Sequence, residues 1–347
     1  MPDLFRHPPG RKYEGSWGRA PVTAYRVPVD DTAIATDLPS AHRRGMIAAP
    51  SPGKRPMMSN VARLTARRPC VRAAMLAALA TIAAPAAAQL DPPEWTRPIP
   101  PVRLIGPIDY VGTEGLAAYL IRTPAGAILI DATMAQNVPA ILRNIAALGV
   151  KPREVKYILV THAHFDHVGG LAAMQRATGA RVLAGAADVP ALRTGIPPGE
   201  TTYGVIRFAP VPMARGVRDG QAVKLGGVIL HAVATPGHTP GCTSWTMRVT
   251  QGARPLDVVF PCSVSVAGNR LFANRRYPDI AADYRTSFAR LARLPADVVL
   301  PAHPDLADVL TRARAGTLVA PGLLRDMVLR ARDDFDREWM KQGRIAK

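Results

Sequence analysis

The feature that most constrains this sequence of 347 residues is a run of histidines and aspartate directly after an apolar segment. Residues 155–160 predict a buried strand, and His162, His164, Asp166 and His167 follow it. Side chains two positions apart in an extended segment face the same way, so His162 and His164 can reach one point. Imidazole nitrogens and carboxylate oxygens are ligands that zinc accepts. The run therefore predicts a metal-binding loop at the end of a strand.

Two distant segments present further histidines in the same way. The turn Pro-Gly-His-Thr-Pro-Gly at 236–241 follows a predicted strand and presents His238, while His303 follows the apolar segment 298–300. Glycine and proline fix tight turns, so both side chains can face a shared site. His231, inside a predicted strand, is interpreted as a core or surface histidine. We expect His238 and His303 to complete the metal site.

Predicted strands and helices alternate along the last three quarters of the chain. Strands are predicted as a hairpin over 116–131 and at 155–160, 181–184, 221–234, 243–250, 256–260 and 297–300. Helices are predicted at 137–149, with Asn137 as N-cap, and at 169–177, 187–193, 280–293 and 318–340. The five prolines of 91–101 predict an extended arm without regular structure, and 195–212 is predicted to be a long loop. This alternation is typical of a layered α/β domain.

The formal charge of +18 raises the question of nucleic-acid binding. Residues 1–88 contain 13 basic and 5 acidic side chains, a net +8, so nearly half of the excess lies in the first quarter of the chain. The remaining basic residues are scattered, with no run of five and no interleaved aromatic residues. A site that tracks phosphates needs clustered cations. We therefore expect a basic surface and no nucleic-acid partner.

Residues 57–88 have the pattern of a signal peptide. Several arginines precede the apolar stretch 73–84, which is too short to span a bilayer, and Ala86-Ala87-Ala88 supplies a cleavage site of the A-x-A type. An N-terminal membrane anchor or a buried helix is the alternative. Residues 1–56 are interpreted as an unstructured upstream extension. We expect residues 89–347 to form one catalytic domain, exported to the periplasm and free of the membrane after cleavage.

These motifs together resemble the metallo-β-lactamase superfamily. The resemblance rests on H-x-H-x-D-H after a strand, then P-G-H-T-P-G, then P-A-H, and covers about residues 102–305. It implies an α/β fold, a four-layer αββα sandwich with the site at the edge between its sheets. It also implies two Zn²⁺ ions. The implied ligands of the first ion are His162, His164 and His238, and those of the second are Asp166, His167 and His303.

The strand before residue 263 indicates which branch of the superfamily is resembled. Thioesterases and lactonases of this fold carry a bridging aspartate there, whereas this chain has Ser263, followed by Ser265. That pattern resembles the third subclass of zinc β-lactamases, and implies that both serines bind the substrate carboxylate. A shift of one residue in the alignment would instead make Cys262 a thiolate ligand. Ordinary polar residues at a strand end are the other interpretation of the serines.

The two cysteines and Asp131 lie next to these motifs, and the motifs alone do not define what they do. Cys242 and Cys262 can form a disulfide in an exported protein, although their spacing alone does not show that they are close. Asp131-Ala132-Thr133 stands where relatives carry D-G-G, and Asp131 is interpreted as a support for the histidine loop rather than a ligand.

The function implied by the resemblance is an exported β-lactam hydrolase that confers resistance. A hydroxide held by zinc would open the lactam ring, with Asp166 as the catalytic residue that orients it. The expected partner is a small β-lactam, and the chain is expected to be a monomer. An exported lactonase or thioesterase of the same fold is the alternative, and a metal-binding module without catalysis is a third.

Overall fold

The computed structural model describes residues 91–345. The predicted upstream extension 1–56 and signal peptide 57–88 lie outside the described residues. Within the described part, no helix combines the length and the apolar character needed to cross a bilayer.

Two sheets organise the described chain. The first, in spatial order, contains β1 (Val102–Ile105), β2 (Ile108–Tyr110), β3 (Tyr119–Thr123), β4 (Gly126–Ile130), β5 (Val155–Leu159), β6 (Arg181–Gly185) and β7 (Arg215–Val217). The second contains β12 (Val298–Val299), β11 (Arg254–Phe260), β10 (Thr243–Gln251), β9 (Val228–Ala234) and β8 (Ala222–Leu225). Strands β1 to β4 pair antiparallel and β4 to β7 parallel, and the second sheet is antiparallel except for the pair β11–β12.

The described residues also form seven α-helices. They are α1 (Val138–Ala147), α2 (Phe165–Val168), α3 (Leu171–Thr178), α4 (Val189–Thr194), α5 (Ile280–Leu291), α6 (Val309–Ala315) and α7 (Leu323–Ile345). The predicted hairpin is confirmed as β3 and β4, and the strand before the histidine run is confirmed as β5.

The alternation of side chains along the strands explains why the layers stack. Tyr119 and Ile121 of β3 point into a core shared with Trp245 of the second sheet, while Leu120 between them joins the core beneath α1 and α3. Period-two alternation of apolar side chains on both faces is expected of a strand covered on each side. Helix α5 packs with α7 in the first of these cores. Both sheets are mixed and flanked by helices, which confirms the predicted αββα sandwich.

Several details differ from the sequence-based prediction. The single strand predicted at 221–234 is two strands, because Gly226 and Gly227 adopt positive φ angles of 51° and 88° and form a tight turn. The proline-rich segment 91–101 contains one 3-10 turn at Pro93–Trp95. Helix α6 and strands β1, β2 and β7 have no counterpart in the prediction, and the last helix begins at Leu323 instead of residue 318.

Asn137 is at the predicted N-cap position of the first helix, but it does not cap the helix with its side chain. Asn137 does precede α1, but its side chain makes no capping hydrogen bond. Its Nδ2 donates instead to the carbonyl of Trp95 at 2.9 Å and to Thr133 Oγ1 at 3.1 Å. The side chain therefore ties the N-terminal arm to the loop that follows β4.

Candidate metal centre

The predicted metal residues meet at one edge of the two sheets. Strand β5 leads into His162, the turn between β9 and β10 presents His238, and His303 follows β12. The sheets are joined at this edge, because Thr243 N donates to the carbonyl of Thr161 at 2.8 Å. The side chains thus come from separate strands that end at the same place.

Three histidines form the tightest group. The ring nitrogens of His162, His164 and His238 lie within 4.8 Å of one another, and all three side chains are buried. His238 Nε2 is 2.9 Å from His164 Nδ1 and 3.1 Å from His162 Nε2. This is the set that the family resemblance implies for the first metal ion, and we call it the three-histidine set.

A second group lies beside the first. Ligand atoms of His162, Asp166 and His167 also lie within 4.8 Å of one another. The carboxylate of Asp166 is central to this group, since its Oδ2 is 3.1 Å from His167 Nε2 and 3.3 Å from His303 Nε2. The structure therefore brings together all six residues that the sequence predicts as ligands, with His303 joined through Asp166.

The donor atoms fit a divalent metal ion. His164 Nε2 is buried and has no hydrogen-bond partner among the described residues, while the buried ring nitrogens of His167 face the carboxylates of Asp166, at 3.1 Å, and Asp131, at 3.6 Å. A buried polar atom without a partner costs about 1–3 kcal/mol, so such atoms call for an explanation. Imidazole nitrogens and one carboxylate are the donors that zinc prefers. A bound cation would satisfy these atoms.

Electrostatics keep the three-histidine set neutral. Burial lowers the pKa of His162 and of His238 well below the ordinary value, and neighbouring histidines lower each further. Burial likewise lowers the pKa of His164, to about 4. Histidine binds metal only as the neutral imidazole. These three rings are therefore ready to bind a cation at neutral pH without first releasing a proton.

Asp166 and His167 are both charged in the absence of metal. Burial acts to raise the pKa of Asp166, but His167 and His303 outweigh it and hold this pKa well below the usual range. Burial acts to lower the pKa of His167, but Asp166 and Asp131 outweigh it and raise this pKa to about 10. Asp166 and His167 thus form an ion pair when no metal is present.

Asp131 supports the histidine run through hydrogen bonds with Thr161. Its Oδ1 accepts a hydrogen bond from Thr161 N at 2.8 Å, and its Oδ2 accepts one from Thr161 Oγ1 at 2.7 Å. The same Oδ2 is 3.6 Å from His167 Nδ1. Asp131 lies outside both groups of candidate ligands, as its interpretation as a supporting residue requires.

The orientation of His238 depends on residues that sequence reasoning missed. Its Nδ1 lies 2.8 Å from the carbonyl oxygen of Ser265, an acceptor, so Nδ1 carries the proton and Nε2 is free for a metal. Tyr284 Oη donates to the same carbonyl at 2.7 Å, and Asn269 Nδ2 donates to the carbonyl of His238 at 3.0 Å. Tyr284 belongs to α5, distant in sequence, and no local pattern predicts this contact.

The two predicted serines lie in the segment that follows β11. Ser263 Oγ and Ser265 Oγ are 3.0 Å apart, and Ser265 is exposed. Cys262, directly before them, forms a disulfide with Cys242. The pairing that the sequence left open is therefore present, and the alternative role of Cys262 as a thiolate ligand is wrong, because a sulfur in a disulfide is not a thiolate.

Trp95 of the N-terminal arm lies beside the candidate ligand His303. The ring of Trp95 lies 5.5 Å from that of His303 and 6.4 Å from that of Phe165, between centroids. The backbone of Trp95 is fixed by Thr113 Oγ1, which donates to its carbonyl at 2.9 Å. The arm predicted at 91–101 thus contributes directly to the surroundings of a candidate ligand.

Solved structures with the same fold include several metallo-beta-lactamases. The chain is 40% identical to BJP-1, a subclass B3 metallo-beta-lactamase of Bradyrhizobium japonicum, with a TM-score of 0.70 over 74% of this chain and 99% of that one. It is 38% identical to the metallo-beta-lactamase SMB-1, with a TM-score of 0.66 over 70% and 97% of the two chains. MEM-A1, a subclass B3 metallo-beta-lactamase from a soil metagenome library, is 35% identical, with a TM-score of 0.68 over 72% and 98%.

Curated relatives carry a different name. Hydroxyacylglutathione hydrolases of Anaeromyxobacter dehalogenans and Pseudomonas aeruginosa are 35% and 32% identical to 39% and 40% of this chain. The chain spans 44% and 43% of the length of these two proteins. A sequence model of the metallo-beta-lactamase superfamily matches residues 112–303, which include all six candidate ligands. The chain therefore belongs to the metallo-beta-lactamase superfamily.

Proposed function

We propose that this chain is an exported, zinc-dependent hydrolase that opens the ring of β-lactams. The observation that carries the proposal is the pair of hydroxyls on Ser263 and Ser265, 3.0 Å apart, in the segment whose backbone carbonyl at Ser265 accepts a hydrogen bond from the candidate ligand His238. Similarity to subclass B3 metallo-beta-lactamases, at 40% and 35% identity over nearly their whole length, supports it.

The serines suit the carboxylate that β-lactams carry beside the ring. Hydroxyl groups donate to carboxylates, and a charge-assisted hydrogen bond is about twice as strong as a neutral one. Ser265 is exposed, so its hydroxyl can reach a substrate. In this proposal both hydroxyls would hold the substrate carboxylate while the ring carbonyl meets the metal site.

The metal residues divide between two zinc ions in this proposal. The three-histidine set would hold the first, and Asp166, His167 and His303 the second. When bound, zinc supplies Lewis acidity, which polarises a carbonyl oxygen and lowers the pKa of water to about 7. The carboxylate of Asp166 would accept a hydrogen bond from the attacking water and orient it, and Ser263 and Ser265 would hold the substrate in place.

Thioester hydrolysis is the second candidate, because the curated relatives are hydroxyacylglutathione hydrolases. Thioesterases of this fold carry a bridging aspartate at the position that Ser263 occupies here. A serine lacks the charge to bridge two cations, so this position favours the lactam over the thioester.

Export is supported by the N-terminal sequence and by one structural feature. The apolar stretch 73–84 and the A-x-A site at 86–88 support it. The disulfide Cys242–Cys262 supports it independently, since disulfides persist mainly in oxidising compartments such as the periplasm.

A substrate panel tests the proposal. The purified protein is assayed with a penicillin, a carbapenem, a glutathione thioester and a homoserine lactone, each with and without a chelator. We expect the β-lactams to be hydrolysed with a kcat/KM at least a hundredfold above the other substrates, and chelation to abolish the activity. Preferential cleavage of the thioester or the lactone would contradict the proposal.

A further inference from the structure

Asp188 is a buried carboxylate for which the proposed reaction has no use. It ends the 3-10 turn Ala186–Asp188, between β6 and α4, and its exposure to solvent is 0%. Among residues 91–345 it forms no ion pair, and it lies outside both groups of candidate metal ligands. A buried charge without a cation is costly, so its contacts must explain its presence.

The contacts of Asp188 join two loops that carry metal residues. Its Oδ2 accepts a hydrogen bond from Ala163 N at 2.9 Å and one from Thr239 Oγ1 at 2.7 Å. Its Oδ1 accepts one from Gly241 N at 2.8 Å. Ala163 lies between His162 and His164, and Thr239 directly follows His238 in sequence. One carboxylate therefore connects the two backbone segments that supply the three-histidine set.

The backbone around Asp188 is shaped for this approach. A side chain at Gly241 would place its Cβ 2.3 Å from the backbone nitrogen and 2.6 Å from the carboxyl carbon of Asp188. A side chain at Gly185 would meet the carbonyl oxygen of Gly241 at 2.0 Å. Only glycine at both positions lets the turn of residues 236–241 pack this closely on Asp188.

The raised pKa of Asp188 shows that burial of its carboxylate is unfavourable. Burial raises the pKa of Asp188 to about 6, although its hydrogen bonds with Thr239, Gly241 and Ala163 act to lower it. The carboxylate is therefore held in the protein at a net cost, and polar groups retained at such a cost commonly serve the site they contact.

We propose that Asp188 is a positioning residue that fixes the distance between His162 and His164 on one loop and His238 on the other, and so sets the affinity of the three-histidine set for a divalent metal. Asp188 makes no hydrogen bond with Asp166, His167 or His303, the residues proposed to hold the second ion, and His167 Nδ1 lies 3.6 Å from Asp131 instead. We therefore expect loss of Asp188 to weaken the first metal site more than the second. The inference rests on the metal binding of the proposed function, but not on its substrate.

The chain offers a matched control. Asp109 is also fully buried, and its carboxylate accepts hydrogen bonds from Arg103 Nε at 2.9 Å and Arg122 Nε at 2.7 Å. It contacts neither metal loop. Asp109→Asn therefore perturbs a buried carboxylate, with an effect on stability, without changing the geometry of the three-histidine set.

The test measures Zn²⁺ affinity by competition with a chromophoric chelator, for the wild-type protein and for Asp188→Asn, Thr239→Val, Thr239→Ser and Asp109→Asn. Removal of a group that orients a metal ligand weakens metal binding by about 10- to 100-fold. We expect a loss of that size in Asp188→Asn, a smaller loss in Thr239→Val, and wild-type affinity in Thr239→Ser and Asp109→Asn. The loss should persist in a His303→Ala background, where the second metal site lacks one of its proposed ligands.

Each outcome decides the matter. A folded Asp188→Asn with wild-type affinity, or an equal loss in Asp109→Asn, would overturn the inference. If Asp188→Asn does not fold, the pair at residue 239 carries the test, and equal affinities of Thr239→Val and Thr239→Ser would overturn it. Failure of the wild-type protein to bind Zn²⁺ would overturn the metal site of the proposed function as well, whereas unchanged affinity in the variants would overturn this inference alone.

Discussion

His238 Nδ1 donates to the backbone carbonyl of Ser265 across 2.8 Å, and this contact couples a candidate metal ligand to the proposed substrate anchor. The donor is the ring and the acceptor is the main chain, so the contact does not depend on the serine side chain. The hydroxyl of Ser265 is left for the substrate and for Ser263 Oγ at 3.0 Å. Metal binding and substrate binding can therefore be separated by mutation.

Ser265→Ala should weaken substrate binding without affecting the metal. The alanine keeps the carbonyl that orients His238, while the substrate carboxylate loses one charge-assisted hydrogen bond worth about 1.5–3 kcal/mol. We expect KM for a carbapenem to rise roughly tenfold or more, with kcat changed less than about threefold and zinc content unchanged. Steady-state kinetics and metal analysis measure these quantities. A fall in kcat at constant KM would count against the anchoring role.

Removal of the disulfide should destabilise the serine segment. Cys242 and Cys262 are 20 residues apart in sequence, and closing a loop of this size stabilises a protein by about 3 kcal/mol. The double variant Cys242→Ala, Cys262→Ala should lose a similar amount of unfolding free energy in urea. Its KM should also rise, because Ser263 directly follows one cysteine. Wild-type stability and KM in this variant would show that the crosslink has no such role.

Asp188 should give the metal-free protein a distinct pH dependence. The folded protein holds a proton on Asp188 up to about pH 6, whereas the ordinary pKa is 3.8. The unfolded chain releases this proton at a lower pH than the folded protein does. The unfolding free energy therefore falls as pH rises from about 4 to about 6, by about 3 kcal/mol in total. In Asp188→Asn this fall should be absent.

Urea unfolding of both metal-free proteins at about pH 4 and about pH 7 measures the effect. The histidines are common to both proteins, so the difference between their pH dependences isolates residue 188. An identical dependence in the two proteins would show that Asp188 is not held protonated by burial.

Features with a local signal were predicted from the sequence. The strand before His162 is a continuous apolar segment, and the turn that presents His238 is fixed by glycines and prolines, so both could be placed without the fold. The family resemblance then supplied the αββα architecture. The apolar pattern of residues 221–234 predicts one strand, whereas the structure has two, because Gly226 and Gly227 form a turn that this pattern does not mark.

Features that depend on the fold were not predicted. Asp188 meets Ala163 and Gly241, which are 25 and 53 positions away, and Tyr284 reaches the carbonyl of Ser265 from a helix. No spacing or periodicity in the sequence marks a lone aspartate or tyrosine for such contacts. The contact of Trp95 with His303 was missed for the same reason, since a proline-rich arm has no period that fixes where it packs.

The central claim is that the three-histidine set holds the metal that opens a β-lactam ring. The most direct measurement follows carbapenem absorbance in the purified protein as prepared, after exhaustive chelation, and after Zn²⁺ is restored, with His164→Ala in parallel. We expect hydrolysis to disappear on chelation, to return with Zn²⁺, and to be absent from folded His164→Ala under all conditions. Hydrolysis that survives chelation, or that persists in His164→Ala, would contradict it.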